Sequence, residues 1–280
     1  MKKIILIILF FLLTKVNAQV VITAATGGTN ISADKAANAA VPSYITIGNI
    51  KIAESSVNDF APSQTGVTFI LSAPTNWSFK NTTGAMAHTA HGSFTSITMA
   101  VTPAAITVTF STGSTSALDT ITISGIQVQA TDGGIIPSSG NITRTGGTST
   151  IAGFTNKGGN NCGSLSQVLG AFNHFAINTI SSPQIVSVAF SITITAQDQF
   201  NNTVTSFVSS STLSTNTTSI SPTNTGNFSL GTKTLNVTLT GVNASTTITV
   251  VNGSKTKTSN IFALNAAVGT PLLPKHFHFY

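Results

Sequence analysis

The sequence predicts an all-β protein of two tandem β-sandwich domains behind a cleaved N-terminal signal peptide. Three observations predict it. Apolar and hydroxyl-bearing residues alternate with a period of two, most clearly where Phe190, Ile192, Ile194 and Ala196 face one way and Ser191, Thr193 and Thr195 the other. That pattern in β-branched and aromatic residues marks a half-buried strand. Turn-forming Gly, Asn, Asp and Pro residues recur between such runs, at the spacing of a sandwich. Finally, apolar residues make up 41% of the 280 while charged residues make up only 6%, against a usual charged share of about 25%. Disordered chains combine low hydrophobicity with high charge; here Ser, Thr, Asn and Gly supply the polarity.

Residues 1–18 read as a secretory signal peptide. Lys2 and Lys3 form the positive start, Ile4 to Leu13 the apolar run, and Val16-Asn17-Ala18 the small-residue end before Gln19. A run of about ten residues is half the roughly 20 needed to span a bilayer. Loss of Lys2, Lys3 and Lys15 with this segment lowers the formal charge from +6 to +3. No basic stripe remains, which argues against nucleic acid as a partner. One cysteine, Cys162, cannot form an intrachain disulfide; its Gly-Gly-Asn-Asn-Cys-Gly setting reads as an incidental linker thiol, open in principle to pairing between chains.

The first sandwich spans 19–155. Val20 to Ala24 is its first strand; 32–40 allows a helical turn that Pro42 stops. Tyr44 to Ile52 alternates across Gly48, and 120–129 across Gly125, so both glycines are expected at bulges. Val67 to Ser72 is a strand, Trp77 and Phe79 alternate beyond it, and 97–101 pairs with 106–110 across Thr102-Pro103. Weaker strands follow at 141–144 and 148–152. Residues 156–171 read as a connection containing Gly158-Gly159-Asn160-Asn161. The second domain, 172–266, shows strands at 175–180, 187–197, 203–208, 211–214, 228–239, 245–251 and 256–264. Seven strands in that length match an immunoglobulin-like count. The last residues, 267–280, end in PLLPKHFHFY and form an atypical tail without turn or strand logic.

The second domain resembles the bacterial immunoglobulin-like modules of the invasin-like group. The resemblance rests on Phe175-Ala176-Ile177, Ser182-Pro183, Ala189 to Asp198 (AFSITITAQD) and Asn202-Thr203-Val204-Thr205. Where the family often has Gly before that Asn, Asn201 stands here. The first domain resembles companion modules from secreted multidomain proteins of Bacteroidetes-type bacteria, on Ile52-Ala53-Glu54-Ser55, Asp59-Phe60-Ala61-Pro62, Leu71 to Pro74 with Trp77-Ser78-Phe79, and Ser116 to Gly125. The resemblance implies a secreted or cell-surface protein acting in adhesion or as a spacer.

Few residues offer chemistry. Trp77, the one tryptophan, could stack on a sugar ring, though its strand spacing with Phe79 favours a core position. His88 and His91 have the spacing of a metal pair on a helix, without a third ligand nearby. Among six carboxylates, Asp59, Asp119, Asp132 and Asp198 are candidates for Ca²⁺ at sandwich ends. Asp198 with Asn202 is the best of them, and an Asx-type turn is the competing and favoured reading. No paired-carboxylate motif, serine elbow, phosphate loop or dinucleotide fingerprint occurs. The sequence therefore predicts a non-catalytic protein without a cofactor, facing extracellular polysaccharide or protein. The alternative is a carbohydrate-binding accessory module of a secreted polysaccharide-degrading enzyme, with Trp77 exposed.

Overall fold

The computed structural model describes residues 19–89, 93–114 and 117–267. The expected signal peptide and nearly all of the atypical tail lie outside the described residues. The chain divides into two compact units, both built from strands. Of the described residues, the first unit holds those in 19–31, 44–129 and 139–166, and the second those in 32–43, 130–138 and 167–267.

In the first unit, β1 (Val21–Thr23) pairs antiparallel with β4 (Ile50–Ala53), which pairs with β10 (Thr120–Ser124), which pairs with β7 (Ala85–His88). A shorter ladder of β3 (Ile45–Thr46), β11 (Gln127–Ala130) and β6 (Trp77–Phe79) continues the same three central strands past a break. Gly125 causes the break between β10 and β11: its φ of +65° is a left-handed conformation that suits a residue without Cβ. The other sheet runs β2 (Ile31–Ser32), β13 (Gly163–Val168), β12 (Ser139–Gly146), β5 (Val67–Ser72), β9 (Ala105–Thr112), β8 (Phe94–Val101). The first strand changes sheets. After β1, Ala25 bridges Gly163 in parallel. Between the sheets lie Ile50, Ile52, Phe69, Leu71, Phe79, Val108 and Ile121, all 0% exposed. Edge-to-face rings extend this core, with Phe60 5.1 Å from Phe94 and Phe69 5.7 Å from Phe154.

The second unit repeats the plan. β14 (His174–Ile177), β16 (Phe190–Gln197), β19 (Thr232–Thr240) and β18 (Ser219–Ser221) form one sheet in that order. Facing it are β15 (Gln184–Ile185), which runs parallel to β23 (Phe262–Asn265), and β20 (Asn243–Thr246). The ladder continues as β22 (Lys255–Thr258), β21 (Ile248–Asn252) and β17 (Thr212–Thr215). Since β20–β21 and β22–β23 are successive halves of the same two strands, the order across this sheet is that of a constant-type immunoglobulin domain. One core serves both sheets: Ile192, Ile194, Val237 and Leu239 meet Ile248, Val250, Phe262 and Leu264. Burial of each such side chain stabilises by roughly 1.5–3 kcal/mol.

Several sequence expectations need correction here: the stretch read as a connection, 156–171, contains strand β13, and 148–152 forms no strand, only a single bridge of Ile151 to Phe60. Residues 203–208 do not form a strand. Thr203 makes one bridge to Gln197, and Phe207 N–H then donates to Val204 O at 2.9 Å, turning the chain. The turn drops the Phe207 ring onto Phe172, 4.5 Å away, and Phe228, 5.0 Å away. Aromatic burial overrides the alternation that suggested a strand. Conversely, Ala85–His88, which carries the first of the two histidines spaced for a helical metal pair, is strand β7. The helical turn expected in 32–40 is present as a 3-10 stretch at Ala33–Lys35, capped by the Ser32 hydroxyl accepting from Asp34 N–H.

Candidate functional site

The turn after β16 carries the best acidic candidate. Asp198 is fully buried, and its carboxylate is surrounded by donors. Oδ1 accepts from Phe200 N–H at 2.9 Å and Asn202 N–H at 3.0 Å; Oδ2 accepts from Gly170 N–H and from Asn202 Nδ2, both at 3.0 Å. Asn202 Nδ2 also donates to Gly133 O at 3.0 Å. This is an Asx-type turn extended into a hub, with both Asp198 carboxylate oxygens taken by N–H donors.

Segments distant in sequence meet around that turn, all within the second unit. Asp34 accepts from Ala171 N–H and Gln199 Nε2, each at 2.8 Å, and Gln199 Oε1 accepts from Ala40 N–H at 2.8 Å. Asp132 accepts from Asn38 Nδ2 at 2.8 Å and Gly134 N–H at 2.7 Å; these bonds hold its carboxyl below the usual range. Gly133 lies against the Phe200 ring where a Cβ would collide. Sequence reasoning saw the turn but not these partners, because no periodicity links 34, 132 and 198.

The remaining three acids cluster in the first unit and are also spent on loops. Glu54 accepts from Phe60 N–H and Asp119 N–H, both at 2.8 Å. Asp59 Oδ2 accepts from Ser55 N–H at 2.8 Å and Ser56 N–H at 3.0 Å. Asp119 accepts from Thr89 Oγ1 at 3.1 Å and from the Ser93 hydroxyl. Burial pushes the Glu54 carboxyl above its usual value, opposed by its two backbone bonds and reinforced by Asp119 and Asp59. Among the described residues no three His, Cys, Asp or Glu side chains are placed to hold a metal ion.

Trp77 is 5% exposed, on β6 between the sheets, and its Nε1 has no partner among the described residues. Sugar stacking requires an indole face open to solvent, and this ring presents none. His88 sits exposed on β7, with its ring 5.6 Å from Phe94; His91 lies outside the described residues. Cys162 is no linker thiol. It is fully buried in the first unit, its N–H donates to Ile142 O at 2.8 Å, and desolvation pushes its pKa up to about 12.

Arg144 was not singled out by sequence, because a lone Arg on a strand carries no local signal. It is 2% exposed. Its guanidinium donates to Phe154 O, to Ser149 O at 2.7 Å and to Ser149 Oγ at 3.0 Å, and lies 5.2 Å from the Phe154 ring centre. Burial lowers its pKa from the usual value, and backbone carbonyls supply the compensating dipoles. Its role is to gather the 146–154 loop. An open cleft of about 260 Å³ borders it, and another of about 400 Å³ is lined by Asn216, Thr217, Thr218, Gly241, Val242 and Asn243. Neither is lined by a carboxylate. No helix among the described residues is long and apolar enough to cross a membrane.

No family model matches the chain, and no curated protein matches it. Solved structures similar to it include the Yersinia pseudotuberculosis adhesin InvE, at 14% identity and a TM-score of 0.28, covering 88% of this chain and 58% of that one. The D0-D1 domain of intimin aligns over 86% of this chain and 96% of its own, at 11% identity and a TM-score of 0.27. Domains 5-6 of the S-layer protein SbsC align over 90% of this chain and 100% of their own, at 12% identity and a TM-score of 0.22. The chain spans 58% of the InvE length. At these TM-scores the likenesses carry no argument about activity, and the immunoglobulin-like assignment rests on the strand order itself.

Proposed function

We propose that this chain is a non-catalytic, secreted or cell-surface protein whose immunoglobulin-like modules act in adhesion or as a structural spacer. The observation that carries the reading is the use of the acids. The chain has six carboxylates, each of which accepts hydrogen bonds that shape a loop, and neither of the two clefts described above is lined by one. Hydrolysis of a glycoside would need two carboxylates flanking the bond. The surface that remains is low in charge and rich in hydroxyl and amide groups, chemistry that suits extracellular polysaccharide or another surface protein as partner. Burial of Trp77 weighs against the accessory carbohydrate-binding reading, which needs that ring exposed. The resemblance to invasin-like and Bacteroidetes-type modules belongs to the same proposal.

The test pairs binding with turnover. Beads carrying the purified chain are mixed with bacterial cells and with insoluble polysaccharides, while the soluble chain is assayed on a panel of glycans. Saturable retention without product release is expected. Product release that disappears when two of the six carboxylates are replaced together would overturn the proposal.

A further inference from the structure

Two links between the sheets of the second unit lie side by side. Residues 216–218 join β17 to β18, and Gly241 with Val242 joins β19 to β20. Ser219 pairs with Thr240, which brings the two links together. Gly241 sets their spacing: its φ is +82°, and a Cβ there would collide with the Thr218 hydroxyl. Between the links lies the open cleft of about 400 Å³, and a second cleft of about 310 Å³ adjoins it. Thr217 and Thr218 line both.

Among the described residues no charged side chain lines either cleft, so an ionic ligand would meet no counter-charge. The amides of the first cleft are fixed by the protein itself. Asn216 Nδ2 donates to Ser245 O and its Oδ1 accepts from Thr247 N–H, both at 2.8 Å. Asn243 Oδ1 accepts from Ser245 N–H at 2.8 Å, and its Nδ2 has no partner among the described residues. The hydroxyls of Thr218, and of Ser214 and Thr223 in the second cleft, have none either. Apolar surface accompanies these groups: Val242 is 65% exposed on the first cleft, and Leu213 and Ile220 line the second. Donors, acceptors and apolar surface without charge complement a ligand built of hydroxyl groups on a C–H frame. Both volumes lie at the lower end of the range for small-molecule sites, about 300–1,000 Å³.

We infer that these adjoining clefts bind a neutral oligosaccharide, with successive sugars of one chain lying on either side of Thr217 and Thr218. The inference rests on the proposed polysaccharide partner and gives that partner a site. Val242 covers the C–H face of one sugar, Asn243 Nδ2 donates to a sugar hydroxyl, and the Thr218 hydroxyl bonds where the two clefts meet. The site uses no indole, so it agrees with a buried Trp77.

Isothermal titration calorimetry of the purified chain against cellohexaose, maltohexaose, mannohexaose and xylohexaose tests this, with hexagalacturonate as the anionic comparison. Saturable binding of at least one neutral hexasaccharide is expected, at a Kd of about 0.01–1 mM, with hexagalacturonate weaker than that sugar. Thr218→Ala removes a hydroxyl that no other described group uses. Asn243→Asp keeps the acceptor for Ser245 N–H and replaces the free donor. Each should weaken binding about fivefold, as loss of one hydrogen bond does, with the melting temperature within a few degrees of wild type. Ser191→Ala, exposed on β16, should leave the affinity unchanged. Absence of binding to every neutral hexasaccharide overturns the inference, as does tighter binding of hexagalacturonate or an affinity that both cleft variants leave unchanged. Retention on insoluble polysaccharide that both cleft variants keep undiminished overturns this site alone and leaves the polysaccharide partner standing.

Discussion

Replacing Asp198 by alanine removes the acceptor for four donors. The Gly170 bond is buried, so its stranded N–H costs about 1–3 kcal/mol. Water can reach the donors at Phe200 and Asn202, whose three part-buried bonds are each taken at about 0.5 kcal/mol. The total is a loss of about 2.5–4.5 kcal/mol, large for one substitution in a protein of ordinary stability. Asp198→Asn keeps an oxygen for the backbone N–H groups of Phe200 and Asn202 but turns an amide N–H towards Gly170 N–H and Asn202 Nδ2, so about 1–3 kcal/mol is expected. Urea titration followed by far-ultraviolet circular dichroism reads both, as a lower midpoint at unchanged slope. Titrating Ca²⁺ into the wild type should leave the midpoint where it is at this turn, since both Asp198 oxygens already hold two donors. An Asp198→Ala loss below about 1 kcal/mol, or a Ca²⁺-induced rise that Asp198→Ala removes, refutes the hub.

Trp77 emission should be blue-shifted and poorly quenched by acrylamide, and Trp77→Ala should cost about 3–5 kcal/mol in urea while leaving retention on polysaccharide unchanged; native quenching equal to that of the unfolded chain would place the ring outside. Cys162 should react with a thiol reagent at least about a hundredfold slower in the native protein than after denaturation, given a thiol pushed up to about 12 and full burial; equal rates would contradict its position. Glu54 has a raised pKa, so the folded state binds its proton more tightly than the unfolded chain does. Its titration therefore favours folding below the ordinary carboxyl value, and this contribution fades as pH rises through the raised folded value. The stability of the wild type relative to Glu54→Gln, measured by unfolding across pH 3–8, should fall as pH rises through that window; a relative stability that rises there reverses the sign of the argument.

Much of the architecture was legible because it depends on local periodicity. Phe190 to Gln197, Val67 to Ser72 and the pair around Thr102-Pro103 are strands in sequence and structure alike, since a period of two has one interpretation when one face is buried. The expected turn at Asp198 and the interruption at Gly125 follow from single-residue backbone preferences, which are also local; at Gly48 the interruption is not local, since the chain passes Thr26 there too closely for a Cβ. Strands β15 and β18 escaped notice because two or three residues carry no period, and they exist through pairing with β23 and β19.

What the sequence determined by itself was the class of protein: all-β, sparsely charged, with hydroxyl-bearing outer faces and acids too few and scattered to make a recognisable catalytic motif. What only the tertiary structure decided was where each polar residue spends its bonding capacity. Cys162 and Arg144 look like surface residues until their neighbours remove them from water. Asp34, Asp132 and Asp198, separated by up to 164 positions in the sequence, meet in one unit because 32–43 and 130–138 fold with the residues after 166. Hydrogen bonds are satisfied in space, across any distance along the chain, and a pattern of neighbours in sequence does not encode that.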